Sequence, residues 1–435
     1  MKFGTDGVRG VANIDLTASF ALDLGRAAAR VLGGTEAVVG GDTRLSTAML
    51  EAAFVAGLAS EGVVVHRLGV VATPVVAFEA ARRNCLGAVI SASHNPYRDN
   101  GIKLFARGGT KLTDDVEERI EEVVMDLPAP TGDPAQLVDI EPSPAYVDHV
   151  LGAIHGRRLD GLRIVVDAAN GAASALAGPV LGLTGADVIA IHDTPDGRNI
   201  NAGCGATDTA SLAAAVVEHG ADLGLALDGD ADRLLAIDHT GGFVDGDHII
   251  GVLAIDRHAA CLLRDDTVVV TVMTNLGFRL GMEAAGIKVV ETAVGDRYVL
   301  EALAAGGYSL GGEQSGHVIF RDLATTGDGL LTGIILCDAV HRAGRPLAEL
   351  AAAAMTRLPQ VLVNVPVRAP LPDAATRVAA AIAAVEADLD GHGRVLVRPS
   401  GTEALVRVMV EAPTQARADE AAARIAAAVR AVTDI

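Results

Sequence analysis

Leu223-Gly224-Leu225-Ala226-Leu227 is an uncharged apolar run, and Asp228-Gly229-Asp230-Ala231-Asp232-Arg233 follows it without a break. A short apolar run that stops at a polar cluster reads as a strand buried on both faces, as in the parallel sheets of α/β proteins. In such sheets ligands bind beyond the carboxyl ends of the strands. The three carboxylates stand at alternate positions, and like charges this close repel strongly unless a cation sits among them. The donors are all oxygen, with no Cys or His in the segment, which selects a hard ion such as Mg²⁺ over zinc. A helix-loop-helix calcium loop would need Gly at its sixth position and Glu at its twelfth. Those positions hold Arg233 and His239, so that reading fails. An acidic turn without any ligand is the plainer alternative. Arg233, directly beside the carboxylates, instead points to an anion bound next to the metal.

Outward from this stretch, Val/Ile-rich strands alternate with Ala-rich helical segments, the rhythm of βα units. The pattern predicts helices over 17–32, 46–61 and 74–83 and strands over 37–41, 63–68 and 87–92 in a first region. A second reads strand 163–167, helix 172–182, strand 186–191, helix 209–219 and strand 223–227. A third reads helix 247–263, strand 267–273, helix 277–285, strand 288–292, helix 296–305, strand 308–312 and helix 328–342. The last region differs: strand 361–367, helix 372–388, strands 394–398 and 404–410, helix 414–431. The expectation is an α/β protein: three similar α/β domains with mixed, largely parallel sheets, and a small C-terminal α+β domain, arranged around a central cleft. The expected boundaries are 1–145, 146–243, 244–357 and 358–435. A polar stretch with five prolines, Pro128 to Pro144, reads as a linker or an edge crossing between the first two.

Composition narrows the class. The chain has 435 residues, more than one ordinary core accommodates, and half are apolar with 21% charged, so it folds rather than staying disordered. Aromatics are only 3% and Trp is absent, so Ala, Val, Leu and Ile must build the core. A net charge of −20 argues against nucleic acid and against an anionic membrane surface as partners. It would also repel a phosphorylated metabolite, so any anion site must be locally basic. Cys85, Cys204, Cys261 and Cys337 are scattered, with no C-x-x-C pair, and read as reduced thiols of a cytoplasmic protein. The N-terminus lacks the apolar segment of a signal peptide, and no apolar run nears the ~18 residues of a membrane span.

Three further polar clusters follow predicted strands. Ser91-Ala92-Ser93-His94-Asn95-Pro96, with Lys103 beyond it, places a serine at a strand end. His94 beside it invites a protease-like reading, but adjacent residues on an extended chain point apart, so His94 is expected to be poorly placed as a base for Ser93. The G-x-S-x-G elbow is also missing. A serine with Asn, Lys and backbone amides fits better as a phosphate carrier, and a phosphate there could supply one more oxygen to a metal on Asp228, Asp230 and Asp232. Glu313-Gln314-Ser315-Gly316-His317 offers acceptor and donor capacity suited to a sugar, and His317 could shuttle a proton near neutral pH. Arg398-Pro399-Ser400-Gly401-Thr402-Glu403, with Arg407 after it, has the arginine forks and hydroxyls of a phosphate cradle. It lacks G-K-[ST] and so is no ATP-binding loop. Gly4-Thr5-Asp6-Gly7-Val8-Arg9-Gly10 sets another arginine among glycines.

In this order these segments resemble the α-D-phosphohexomutase superfamily, across residues 4 to 412. Gly4-Thr5-Asp6-Gly7-Val8-Arg9-Gly10 and Gln314 resemble the branch acting on glucosamine phosphate more than the phosphomannomutase/phosphoglucomutase branch, which is the alternative. The resemblance implies phosphoserine at Ser93, one Mg²⁺ on Asp228, Asp230 and Asp232, and a bisphosphorylated sugar as intermediate and activator. It implies sugar contacts at Glu313 and Ser315, with Arg233 near the substrate. The phosphate that does not react falls to Arg398, Ser400, Gly401, Thr402 and Arg407. Arg9, His94, Lys103 and His317 fall to proton transfer and to the transferred phosphoryl group. The implied reaction interconverts glucosamine 6-phosphate and glucosamine 1-phosphate, feeding UDP-N-acetylglucosamine and cell-wall synthesis, in a monomer or homodimer. Two positions depart from the family pattern: Ala231 stands where many members have Gly, and Ala404 where Pro commonly follows Thr-Glu. A Mg²⁺-dependent phosphatase would not need the fourth cluster, and a phosphosugar-binding protein without catalysis would not need an intact serine and carboxylate set.

Overall fold

The computed structural model describes residues 2–4, 6–130, 132–142, 144–368, 371–399 and 404–433. It parts into two compact units, one of residues 1–273 with 286–354 and one of 274–285 with 355–435. The first unit holds three sheets. The seven-stranded sheet runs Val8–Val11, Asp99–Ala106, Leu86–Ile90, Glu36–Gly41, Val64–Val70, Leu137–Asp139, with Thr110–Lys111 paired to Asp99–Ala106. The five-stranded sheet runs Phe243–Val244, Leu234–Asp238, Leu223–Leu227, Arg163–Asp167, Asp187–Ile191, and the four-stranded one Lys288–Thr292, Thr267–Thr271, Leu310–Gly312, Val318–Phe320. In each, parallel central strands meet one or more antiparallel strands at an edge. This is the mixed, largely parallel architecture expected.

Small side chains set the packing. Helices Ala18–Leu32 and Thr47–Ser60 touch through Gly25 and Gly57, where a Cβ would stand 2.3 Å from the Phe54 carbonyl oxygen and 2.2 Å from that of Leu22. Around this contact Leu24, Ala28, Leu50, Phe54 and Leu58 form a core against Val39, Val65, Ala88 and Ile90 of the sheet. Few aromatics are needed when backbones come this close.

The second unit is a three-stranded antiparallel sheet, Gln360–Pro366, Leu405–Glu411, Arg394–Pro399, backed by Ala379–Leu389 and Gln415–Thr433. Val406, Val408 and Val410 face that core with Ile425 and Val429. Helix Leu276–Ala284 belongs to this unit because Asn275, its cap, receives the Leu358 amide at 2.9 Å, and Glu411 receives the Leu276 amide at 2.8 Å.

Several expectations need correction. The segment after strand Arg163–Asp167 winds through turns and becomes helical at Ala177, not at 172, because Ala169 and Asn170 take left-handed conformations. The 372–388 helix is two helices, Ala374–Arg377 and Ala379–Leu389, divided at Val378. Of the two readings of the proline-rich stretch, linker or edge crossing, the second holds, since Leu137–Asp139 within it pairs with Val64–Val70 at the edge of the sheet. Strand Asp99–Ala106, which carries Lys103, was not anticipated, because Asn100 and Gly101 interrupt any strand-like run.

Candidate active site

Strand Leu86–Ile90 ends two residues short of expectation, and the chain then turns sharply. Ser93 is left-handed, with φ 52, and buried. Both ends of its peptide frame are gripped: its amide donates to Ser91 Oγ at 2.9 Å, and its carbonyl accepts Arg44 Nη2 at 3.0 Å and Asn201 Nδ2 at 2.9 Å. Ser91 Oγ in turn donates to Asp42 Oδ2 at 2.6 Å, and Asp42 pairs with Arg44. A side-chain-bearing residue persists in this region only where its surroundings hold it. The result aims Ser93 Oγ at Asp228 Oδ2, 2.6 Å away.

The same turn overturns the expectation for His94. The backbone at Ser93 is not extended, and His94 Nδ1 lies 3.3 Å from Ser93 Oγ. Burial, then the charges of Arg233 and Arg9, push the His94 ring down to about 4, so it is neutral at physiological pH.

Asp228, Asp230 and Asp232 are buried, and one oxygen of each lies within 4.8 Å of the others. Their loop passes through a left-handed Ala231, φ 56, at the position where the family often has Gly. One oxygen of Asp230 is tied down, since its Oδ2 accepts Thr73 Oγ1 at 2.6 Å and Lys103 Nζ at 2.7 Å. Asp232 Oδ2 accepts Lys103 Nζ at 3.0 Å. The other oxygens, Asp230 Oδ1 and Asp232 Oδ1, are buried without a hydrogen-bond partner. Buried carboxylate oxygens left over in this way fit a cation, and an all-oxygen donor set fits a hard one.

Cationic side chains surround the carboxylates. Lys103 Nζ also meets Asp6 Oδ2 at 2.8 Å, and Lys111 Nζ meets Asp6 Oδ1 at 3.0 Å and pairs with Asp296. Arg9 pairs with Asp6. Burial alone would raise the carboxyls of Asp6 and Asp232. Together Lys103, Lys111 and Arg9 at Asp6, and Lys103 and His317 at Asp232, outweigh burial and hold both well below the usual range. Burial works against the Lys103 ammonium, but Asp230, Asp232 and Asp6 raise its pKa and keep it charged. Asp228 has no such cation in contact. Burial and the charges of Asp230 and Asp232 push its carboxyl up to about 8.

His317 is buried between Asp296, 3.2 Å from Nε2, and Asp232, 3.7 Å from Nδ1. Burial favours its neutral form, but the two carboxylates prevail and raise its pKa. Glu313 and Ser315 lie on the loop between Leu310–Gly312 and Val318–Phe320, with Ser315 exposed and Glu313 Oε1 accepting the Gly295 amide at 3.1 Å. That loop is fastened to the carboxylate loop, because Gly316 O accepts the Leu234 amide at 2.9 Å. Arg233, next to Leu234, feels the charges of Asp228, Asp232 and Glu313. The structure thus brings together Ser93, His94, Arg9, Lys103, the three aspartates, Arg233, His317 and Glu313.

In the second unit Arg398 and Arg407 stand directly opposite each other on paired strands. Ser400, Gly401 and Thr402 lie outside the described residues.

Asp6, Asp42, Arg44, Thr73, Lys111, Asn201 and Asp296 were not singled out from sequence. Asp42-Thr43-Arg44 follows strand Glu36–Gly41, so the strand-end rule could have found it. Thr73, Lys111 and Asp296 carry no local signal.

Segments corresponding to all four parts of phosphoglucomutase/phosphomannomutase proteins follow one another along the chain. Alpha/beta/alpha domain I matches residues 1–128, domain II 144–242, domain III 245–358 and the C-terminal domain 362–428. The chain belongs to the phosphoglucomutase/phosphomannomutase family, whose members act on sugar phosphates. Its similar relatives there are phosphoglucosamine mutases. That of Thermobifida fusca is 56% identical over 417 residues, covering 93% of this chain and 92% of its own. That of Streptomyces coelicolor is 55% identical over 423 residues, covering 93% of each. Among solved structures, a phosphoglucomutase/phosphomannomutase family protein from Burkholderia thailandensis has a TM-score of 0.81 at 25% identity, covering 98% of this chain and 97% of its own. The Aspergillus fumigatus N-acetylphosphoglucosamine mutase, solved with GlcNAc-6P and magnesium, shares the fold with a TM-score of 0.70 at 20% identity, covering 100% and 96%. Among the described residues no helix is long and apolar enough to cross a membrane.

Proposed function

We propose that this chain is a phosphoglucosamine mutase, interconverting glucosamine 6-phosphate and glucosamine 1-phosphate through a phosphoserine at Ser93 and a bisphosphorylated hexosamine. The observation that carries the sugar is identity of 54–56% with proteins of that activity over 93% of the chain. The chemistry rests on the 2.6 Å approach of Ser93 Oγ to the carboxylate triplet. Asp228, Asp230 and Asp232 would hold Mg²⁺, which when bound neutralises charge developing on the transferred phosphoryl oxygens.

The chain's own residues account for the rest. Phosphoryl transfer asks for positioning and charge neutralisation. Arg44, Asn201 and Ser91 fix the serine, and Arg9 and Lys103 face the phosphoryl group as permanent cations. Lys103, held charged by three carboxylates, serves as charge rather than base. Neutral His94 is placed to take or return a proton at Ser93 Oγ, and His317, whose pKa Asp296 and Asp232 raise, is the group placed to exchange a proton near the sugar. Glu313 and Ser315 read the sugar's polar groups. Arg398, Ser400, Gly401, Thr402 and Arg407 hold the phosphate that does not react, supplying remote binding energy. The domain limits 1–145, 146–243, 244–357 and 358–435 serve this division of labour, in a cytoplasmic monomer or homodimer.

The test is kcat/KM on purified protein for glucosamine 1-phosphate, glucose 1-phosphate and mannose 1-phosphate. A clear preference for the glucosamine phosphate is expected. A preference for either hexose phosphate would replace this reading by a phosphoglucomutase or phosphomannomutase.

A further inference from the structure

Away from the serine, Asp167, His192 and Cys204 bring an oxygen, a nitrogen and a sulfur donor within 4.8 Å of one another. They lie at or just beyond the carboxyl ends of strands Arg163–Asp167 and Asp187–Ile191, and on the loop that follows. Asp167 and Cys204 are buried, and the His192 side chain is 31% exposed. Asp167 has a structural account: its Oδ1 accepts the Ala169 amide at 2.8 Å, its Oδ2 accepts the Gly205 amide at 2.8 Å, and His192 Nδ1 lies 2.9 Å from Oδ2. Cys204 Sγ is hydrogen-bonded to Asn170 Nδ2 at 3.8 Å and to the Ala202 backbone, weak contacts of a sulfur that still lies within reach of the other two donors. Around the three donors Ala169, Asn170, His192 and Asn201 take left-handed backbone conformations, φ 56, 47, 48 and 56. Such conformations concentrate at ligand sites.

We propose that Asp167, His192 and Cys204 form a second metal site, for a thiophilic first-row divalent cation of the Zn²⁺ class. A mixed sulfur, nitrogen and oxygen donor set selects such an ion over Mg²⁺, and it complements the all-oxygen site at Asp228. Three protein ligands leave a fourth position for water on the side where His192 meets solvent. As the sulfur–metal bond forms, the S–H bond of Cys204 breaks and its proton goes to solvent. The imidazole binds in its neutral form, and Asp167 donates a lone pair of an oxygen that already accepts an amide. The loop carrying Cys204 also carries Asn201, whose amide holds the Ser93 carbonyl, so the cation would sit one short loop from the serine.

The experiment titrates the metal-stripped full chain with Co²⁺, a spectroscopic stand-in for Zn²⁺, with Mg²⁺ in excess to fill the carboxylate site. One equivalent should bind and produce a thiolate-to-cobalt charge-transfer band, which carboxylates cannot give, and one equivalent of Zn²⁺ should abolish it. Cys204→Ser, close in volume, should remove the band, and His192→Gln, at a partly exposed position, should weaken Co²⁺ binding tenfold or more. Thermal melting establishes that both variants fold. Absence of the band in the wild type would overturn the proposal. So would a band that survives Cys204→Ser and disappears with Cys261→Ala, the exposed cysteine.

Discussion

Metal binding to the unphosphorylated chain should expel a proton from Asp228. Its carboxyl is pushed up to about 8, so near pH 6.5 it is almost fully protonated in the metal-free protein. Asp232, in contact with Lys103, is held well below the usual range and does not compete for that proton. A divalent cation needs Asp228 ionised, so affinity should fall about tenfold for each pH unit below 8, each unit being ~1.36 kcal/mol. Between pH 8, where half the carboxyl is already protonated, and pH 6 that is roughly fiftyfold, or about 2.3 kcal/mol. The sign for stability follows. An acid whose pKa is raised on folding makes the metal-free fold lose stability as pH rises from the usual Asp range toward 8. The stabilisation by Mg²⁺ should therefore grow with pH over the same window. Calorimetric titration with Mg²⁺ at pH 6.5, in two buffers of different protonation enthalpy, should count close to one proton released per ion. Asp228→Asn should abolish the release and weaken binding. Affinity that is flat from pH 6 to pH 8, or proton release that survives Asp228→Asn, would refute the reasoning; the latter would implicate His317 instead.

Four other outcomes are expected. Ser93→Ala should eliminate both turnover and the phosphate that peptide mass spectrometry finds on the wild-type serine; phosphate on Ser91 with an active variant would sink the assignment. Gly229→Ala would put a Cβ 2.6 Å from the Ser93 carbonyl oxygen and 2.8 Å from Asn201 Nδ2. It should cost ~1–3 kcal/mol of stability and lower kcat by up to ~10²-fold, with unchanged kcat counting against the proposed grip on the serine. Arg44→Met leaves Asp42 buried without its cation, an expected loss of ~3–5 kcal/mol in denaturant unfolding; a loss under 1 kcal/mol would show the pair to be dispensable. Arg407→Ala removes charge-assisted bonds worth ~1.5–3 kcal/mol and should raise KM for the sugar phosphate about ten- to a hundredfold; an unchanged KM would place the phosphate elsewhere.

Much of this was readable one residue at a time. Apolar runs such as Leu223–Leu227 name their own strand, because burial on both faces demands an unbroken apolar sequence. Carboxylates at alternate positions announce a cation because their repulsion is local and needs no fold to compute. Glu313 and Ser315 were found through the rule that strand ends carry ligands, and the same rule would have found Asp42 and Arg44. It could not find Lys111 or Asp296, whose roles exist only because distant segments meet.

The amino-acid sequence by itself determined the α/β alternation, the all-oxygen carboxylate cluster and the serine at a strand end, because each depends on neighbours along the chain. Only the tertiary structure decided how those groups are charged and aimed. The left-handed turn at Ser93 brought His94 to 3.3 Å from Oγ, where an extended chain would have turned it away. Lys103 became a fixed cation because Asp6, Asp230 and Asp232, far apart in sequence, converge on it. Charge state depends on burial and on every neighbour in space, and those are properties of the folded chain alone.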